Sequence, residues 1–284
     1  MEDLRAAIEG RFEAGLLDGK ALRDYLSFIY EPGCDFEPRS IIVLAMEALP
    51  GHVVFEWKRR PVPVVIPPTY TGFVRRILTA VETLGGWLAP EGFRAKRPRL
   101  PMKTLAVCSG LARYGRNNIC YVEGIGSFVQ LAAAVSDMPC DSDPWVEPKA
   151  LELCSSCSIC RRSCPTGAIP EDRFLLRAEK CLTLHNEDSA DFPEWIDPAW
   201  HNALIGCMKC QDTCPGNAGV AGKYEDLGAF TEAETGLLLE GTPLEKLPAG
   251  TLEKVERIDF AGDNYGLLRR NLAVLLEASR SLPG

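Results

Sequence analysis

Eight of the twelve cysteines in this 284-residue chain fall between residues 154 and 214, and their spacing carries the clearest chemical signal. The run from Cys154 to Pro165 reads C-x2-C-x2-C-x3-C-P. This spacing is typical of [4Fe-4S] ligation, in which three close cysteines bind one cluster and the fourth serves another. The run therefore predicts two clusters.

A second run, from Cys207 to Pro215, reads C-x2-C-x3-C-P and is one cysteine short of the first. Cys181 lies between the runs and can complete a set of eight thiolates. We assign one cluster to Cys154, Cys157, Cys160 and Cys214, and the other to Cys164, Cys181, Cys207 and Cys210. Structural zinc is the alternative, because four-thiolate sites with C-x2-C pairs are common, although paired C-x3-C-P endings have no purpose in a zinc ribbon.

The cysteine-rich segment lies between two regions in which apolar residues recur at helix or strand spacing. We divide the chain into an α+β domain at 1–148, a ferredoxin-like domain at 149–222 and a C-terminal helical segment at 223–284. Apolar periodicity predicts a buried strand at Ser40–Ala48 and an edge strand or covering loop at 61–68. It also predicts helices: two short ones within 4–30, one at Phe73–Trp87 ended by Gly85 and Gly86, a helical run at Ser127–Ser136, and two at Thr231–Leu239 and Tyr265–Ser279.

Composition sets broad limits on function. Hydrophobic residues make up 46% and charged residues 25%, which is ordinary for a globular enzyme. The 31 Lys and Arg against 39 Asp and Glu give a net charge of -8, so the whole molecule should not attract nucleic acid. No long apolar run or signal-peptide pattern is present, and we expect a cytoplasmic protein that does not enter a membrane.

Several segments, taken with the cysteines, resemble the epoxyqueuosine reductase family and the related reductive dehalogenases. They are Pro38–Leu44, Ser109–Asn117, Cys181–Thr183, Gly206–Asn217 and Leu268–Asn271. The resemblance implies a nitroreductase-like cofactor domain that holds base-off cobalamin next to two [4Fe-4S] clusters. An external low-potential donor such as ferredoxin or flavodoxin would then pass electrons through both clusters to cobalt, which would reduce a small or nucleoside-like substrate.

The resemblance also implies where cobalamin would be bound. The expected cofactor-binding residues are Gly110, Leu111, Gly115, Arg116, Asn117 and Thr183. Glycines let the backbone approach a flat macrocycle or adopt positive φ, and an ordinary turn between core elements is the alternative for this loop.

One departure from the family concerns the proton donor. Its epoxyqueuosine-reducing members carry an acid in a D-x-A-P-type segment, whereas the corresponding stretch here, 94–101, reads RAKRPRLP and has no acid. A reductase needs a donor within hydrogen-bond reach of the atom that it protonates. Tyr114 and Tyr70 are the candidates, because the dehalogenases use a tyrosine near a cation. The alternative for each is a packed aromatic side chain.

Two other functions stay open. The first is a non-catalytic electron carrier or corrinoid-activating protein, which the missing acid favours and the glycine loop and Thr183 disfavour. The second keeps the enzyme but replaces cobalamin with a flavin or with no organic cofactor. The tRNA-binding members of the family extend into a helical-repeat region that this chain lacks, so we expect a small-molecule substrate and do not expect tRNA as a partner.

The remaining candidate residues have weaker signals. Four cysteines lack ligand spacing and are expected to be buried thiols: Cys34, Cys108, Cys120 and Cys140. Of these, Cys108 precedes the glycine loop and is the candidate for a thiol near the cofactor. His185 could donate to cluster sulfur or lie at the surface. The basic stretch with Arg94, Lys96, Arg97 and Arg99 could bind phosphate or form a solvated loop.

Overall fold

The computed structural model describes residues 6, 9, 10, 13, 33–142, 145–172, 174–262 and 264–279. Strands and helices are mixed along the chain, and short 3-10 turns lie between several of them. The strands and α-helices of the described residues are β1 Ser40–Glu47, β2 Gly51–Trp57, β3 Arg60–Ile66, α1 Phe73–Leu88, β4 Ala95–Lys96, α2 Met102–Cys108, β5 Ala112–Tyr114, β6 Cys120–Val122, β7 Val129–Ser136, α3 Ile159–Ser163, α4 Leu182–Glu187, α5 Lys209–Asp212, β8 Glu225–Phe230, α6 Glu232–Glu240, α7 Ala249–Arg257 and α8 Tyr265–Ala278.

The first sheet has the order β1-β7-β4, with both pairings antiparallel. The strand predicted at Ser40–Ala48 is confirmed as β1, although most of its residues are half-buried. The helical run predicted at Ser127–Ser136 is wrong, because this segment forms the central strand β7. Its residues from Gln130 onward are buried on both faces. A strand covered on both faces has no alternating pattern, so an apolar run does not distinguish it from a buried helix.

The second sheet has the order β3-β2-β8, in which β8 runs parallel to β2. β2 and β3 form a hairpin whose turn residues Lys58 and Arg59 have positive φ. The prediction of an edge strand at 61–68 is confirmed by β3, where a sheet edge accommodates the prolines. β8 was not predicted from the sequence.

The helix predicted at Phe73–Trp87 is confirmed as α1, with one correction. Helix α1 does not end at Gly85 and Gly86 but continues to Leu88. Its buried Ile77 and Val81 pack toward the first sheet, and this burial outweighs the roughly 1 kcal/mol cost of each helical glycine. α6 and α8 confirm the two C-terminal helices, and the helices predicted within 4–30 lie mostly outside the described residues.

The main core joins distant parts of the chain. Residues of β2, β3 and β8 pack there with the three C-terminal helices and with Leu204 and Ile205 from the cysteine-rich segment. The segments 1–148 and 223–284 therefore share one sheet and one core. In the part of the chain that the structure describes, no helix is long and apolar enough to cross a membrane.

Candidate iron–sulfur site

Four cysteines line one cavity of about 270 Å³, a volume that includes its open mouth. They are the four that the sequence assigns to the first cluster: Cys154, Cys157, Cys160 and Cys214. Cys154 and Cys160 are buried, whereas the other two are half-buried. The turn between β5 and β6 forms another wall of the cavity through Gly115, Arg116 and Asn117, and Tyr121 of β6 completes it.

The other four ligand candidates affect one another electrostatically. Burial raises the pKa of Cys207, and the neighbouring Cys181 and Cys164 raise it further. Burial also raises the pKa of Cys210, again with contributions from Cys207 and Cys181. This proximity matches the set assigned to the second cluster. Buried thiols with raised pKa must lose their protons to bind metal, so cluster assembly here releases protons.

Polar groups donate hydrogen bonds to sulfurs in both cysteine groups. The Asn202 Nδ2 atom lies 3.2 Å from Cys207 Sγ. The N–H and hydroxyl of Thr183 both donate to Cys181. In the first group, the Tyr121 hydroxyl donates to Cys214 and accepts a 3.0 Å hydrogen bond from Asn117 Nδ2. Such bonds stabilise the added charge of a reduced cluster and tune its potential.

Sequence reasoning missed Asn202 and Tyr121 as sulfur partners. Neither residue belongs to a ligand spacing, and only the fold brings Tyr121 to a cysteine more than ninety positions later. Arg116 also contributes at this site, because its Nη2 donates to the Cys154 carbonyl at 2.6 Å. Its buried Nε has no hydrogen-bond partner among the described residues and is a donor available to an anionic cluster.

Most of the six residues predicted to bind cobalamin lie at the two cysteine groups. Gly115, Arg116 and Asn117 line the first cysteine cavity, and Thr183 bonds to Cys181. Gly110 has a φ of 80° just beyond the end of α2, next to Leu111. Four of the six therefore lie at the iron–sulfur groups, and cobalamin binding by the six residues stays a prediction.

The two candidate tyrosines lie in different surroundings. Tyr114 is only 7% exposed, and its ring packs edge-on against Phe174. Its hydroxyl lies 3.4 Å from Thr104 Oγ1, within the core that contains β5 and β6. These surroundings match the packed-aromatic alternative.

Tyr70 lies beside the second cysteine group. Its hydroxyl donates to the carboxylate of Glu187, and a Cβ added at Gly206, next to Cys207, would lie 2.7 Å from its ring. Burial raises the pKa of Tyr70, as do Glu187 and the thiols of Cys181 and Cys207. The phenol is therefore neutral and acts as a hydrogen-bond donor.

Glu187 and Lys103 are further site residues that sequence reasoning missed. Burial raises the pKa of Glu187, while the Tyr70 hydrogen bond and the charge of Lys103 act in the opposite direction. Glu187 ends α4, six residues after Cys181, and Lys103 lies on α2. A lone Glu after a cluster ligand has no spacing signal, so the sequence offered no basis for choosing it.

The weaker candidates have local partners. Arg94 pairs with Asp137 at 2.8 Å, and Lys96 donates to the Gly33 carbonyl. His185 lies 3.0 Å from the Glu179 carbonyl and edge-on to a tryptophan. Cys108 and Cys120 are buried, as expected, whereas Cys34 is half-buried and Cys140 is exposed, so the prediction of a buried thiol is wrong for Cys140.

Comparison with known proteins places this arrangement in a class. The family described as "4Fe-4S double cluster binding domain" matches residues 153–217. The segment that contains both cysteine groups is therefore a two-cluster iron–sulfur domain, attached to a mixed helix and strand fold. The zinc alternative is set aside.

The comparisons also confirm the resemblance to the epoxyqueuosine reductase family. The chain is 33% identical over 145 residues to the epoxyqueuosine reductase of Synechococcus sp. (strain CC9605), covering 48% of this chain and 44% of that protein. It is 32% identical over 179 residues to that of Escherichia coli (strain K12), covering 61% and 45%. The matched segments thus span less than half the length of these curated relatives.

Solved structures show that the likeness of fold extends over nearly the whole chain. The epoxyqueuosine reductase from Streptococcus thermophilus matches with a TM-score of 0.70 and 17% identity, over 99% of this chain and 75% of that one. An epoxyqueuosine reductase with a tRNA-Tyr epoxyqueuosine-modified stem loop matches with a TM-score of 0.62 and 19% identity, over 98% and 75%.

The tRNA complex corrects one prediction. The sequence predicts no tRNA partner, because only about one acidic helix pair follows the cysteines, where tRNA-binding relatives have a helical-repeat region. That expectation is wrong, since the structure solved with a tRNA stem loop shares the fold over 98% of this chain. A short helical segment after the cysteines is therefore not a reason to exclude RNA.

Proposed function

We propose that this protein is a two-cluster iron–sulfur reductase that acts on a modified nucleoside of tRNA. The observation that carries the proposal is the pair of four-cysteine groups, the second of which lies beside the hydrogen-bonded Tyr70 and Glu187. Cluster ligands beside a phenol and a carboxyl bring electron transfer and proton transfer to one place.

The chemistry of an epoxide sets what the site must supply. Removing an epoxide oxygen as water, with formation of a carbon–carbon double bond, consumes two electrons and two protons. Each cluster carries one electron at a time, so an external low-potential donor such as ferredoxin or flavodoxin delivers them successively. The ligand thiols need a reducing compartment, and we propose the cytoplasm.

We also propose that the protein binds cobalamin, and this part of the proposal comes from the resemblance alone. When bound, cobalamin would supply low-valent cobalt as the direct reductant. Most of the residues predicted to bind cobalamin lie at the cysteine groups. The experiment below therefore tests cobalamin separately, by comparing turnover with and without hydroxocobalamin.

The test is anaerobic purification with iron, sulfide and cobalt analysis, followed by turnover. The reduced protein is mixed with a tRNA stem loop bearing the epoxide, with or without added hydroxocobalamin, and the RNA is analysed by mass spectrometry. We expect about eight irons per chain, from two four-iron clusters, and loss of one oxygen from the nucleoside. Activity only with hydroxocobalamin would support the corrinoid.

Matched cysteine variants tie the reaction to the clusters. Cys157→Ser should lose close to half of the iron and all turnover, because Cys157 is an assigned ligand. Cys140→Ser should change neither, since Cys140 is exposed and lies outside both groups. Full iron with no reduction of any RNA or free nucleoside, in the presence of hydroxocobalamin, would refute the reductase and favour the electron carrier.

A further inference from the structure

The absence of an acid in residues 94–101 leaves the proposed reductase without the proton donor expected from its relatives. An acid must therefore come from another part of the fold, within reach of the redox centre. Among the described residues, Glu187 is a carboxyl that the fold holds beside the second cysteine group through Tyr70. We infer that Glu187 supplies the proton for reduction and that Tyr70 is its positioning residue, an inference that rests on the proposed function.

The buried amide of Gln130 holds the Tyr70 side of this pair. Tyr70 ends the 3-10 turn Pro68–Tyr70. Gln130 on β7 is 1% exposed, and its Nε2 donates to the Pro68 carbonyl at 2.7 Å and to the Thr71 carbonyl at 2.9 Å. The turn is therefore fixed to the central strand of the first sheet, which sets the direction of the phenol.

Buried amides also hold the Glu187 side. Asn186, next to Glu187, is fully buried and donates to the Gly206 carbonyl at 2.7 Å. Asn271 on α8 donates to the Asn186 carbonyl at 2.9 Å. Gly206 has a φ of 67° and faces the Tyr70 ring, where a side chain would clash. Three separate elements thus fix the pair, as a preorganised proton donor requires.

The surroundings of Glu187 suit a donor that must be recharged. Its side chain is exposed to solvent, yet enough protein surrounds it for burial to raise its pKa. The facing groups are Tyr70, which donates to it, and Lys103 on α2. Within its own segment, Asp188 follows it, and the His185 ring is turned to the Glu179 carbonyl. A carboxyl with raised pKa holds its proton closer to neutral pH and can regain it from water.

Removal of the epoxide oxygen as water takes two electrons and two protons. Two electrons from the external donor reach the substrate through the clusters as the carbon–oxygen bonds break. The Glu187 carboxyl passes its proton to the departing oxygen, and solvent supplies the second proton, so that oxygen leaves as water. Glu187 is then reprotonated by solvent, while Tyr70 keeps its own proton throughout.

The test compares three variants of the cluster-loaded protein: Glu187→Gln, Tyr70→Phe and the control Glu179→Gln, whose exposed acid lies on the preceding turn. Single-turnover reduction of the epoxide-bearing stem loop is measured across pH, with iron content and electron paramagnetic resonance of the reduced clusters recorded for each variant. Glu187→Gln should keep its clusters and slow reduction by about 10² to 10⁴, the usual contribution of a general acid. Glu179→Gln should match the wild type.

Tyr70→Phe separates positioning from proton donation. Loss of its hydrogen bond removes an interaction that lowers the pKa of Glu187, so the limb of the pH profile governed by that acid should move to higher pH. The rate should fall by about tenfold, less than in Glu187→Gln. Glu187→Asp, which keeps a carboxyl, should recover part of the rate.

The outcomes are distinguishable. A wild-type rate in Glu187→Gln, with active wild-type protein, overturns the inference and leaves the reductase standing. An inactive wild-type protein overturns the proposed function and the inference with it. If Glu187→Gln loses iron, Tyr70→Phe decides: an unchanged pH limb overturns the inference, and the upward shift supports it.

Discussion

Replacing Gly115 by alanine should disturb the first cysteine cavity through sterics alone. A Cβ at this position would lie 2.5 Å from both Asn117 Oδ1 and a ring carbon of Tyr121. These two side chains form the 3.0 Å hydrogen bond behind Cys214. Forced overpacking costs about 1 to 3 kcal/mol, and a lost hydrogen bond adds about 1 kcal/mol. We expect Gly115→Ala to lose about 2 to 4 kcal/mol of unfolding free energy.

The assay is anaerobic urea unfolding followed by far-ultraviolet circular dichroism, with bound iron measured in parallel. The matched control is Gly86→Ala, because Gly86 lies within α1 and has no atom within 4 Å of an added Cβ. That variant should gain about 0.5 to 1 kcal/mol, as alanine is the better helix former. Gly115→Ala protein with wild-type stability and iron would refute the packing argument.

Three further predictions address the clusters and the charged groups. Tyr121→Phe removes the hydroxyl that donates to Cys214 and should lower the midpoint potential of the first cluster. The potential is measured by a redox titration followed by electron paramagnetic resonance. An unchanged potential would contradict that hydrogen bond. Burial and the charge of Arg270 lower the pKa of His201 to about 4. The unfolded chain therefore binds one more proton than the folded protein between pH values of about 6.5 and about 4. The free energy of unfolding should fall as the pH drops through this range, by at most roughly 1.4 kcal/mol per pH unit. His201→Gln should flatten this dependence in urea unfolding at several pH values, and an equal slope in both proteins would exclude His201 as its source. Hydrogen bonds from Arg94 lower the pKa of Asp137, and the two side chains form an ion pair. Asp137→Ala should therefore reduce the free energy of unfolding at neutral pH, and its difference from wild type should disappear as the pH falls through that lowered pKa. A difference that stays constant with pH would rule out the ion pair as its source.

The errors in the predicted elements have a common physical cause. The apolar run Ser127–Ser136 predicts a helix because both faces of β7 are buried, which removes the alternation by which strands are recognised. β8 was not predicted, since a short segment reading EDLGAF becomes a strand only when it pairs with β2. In contrast, the helical pattern at Thr231–Leu239 is confirmed by α6, whose start is stabilised by a local capping box of Thr231 and Glu234.

The sequence by itself determined the metal chemistry, because cysteines separated by two or three residues fix a chelate whatever the rest of the chain does. It also determined the resemblance to the epoxyqueuosine reductases, which rests on short local motifs. The tertiary structure decided what lies around the sulfurs: it placed Thr183 and Asn117 at the cysteine groups, put Tyr114 in the core, and brought Tyr70 to Glu187 across 117 residues. Such contacts arise from burial and from hydrogen bonds between distant segments, which no local spacing encodes.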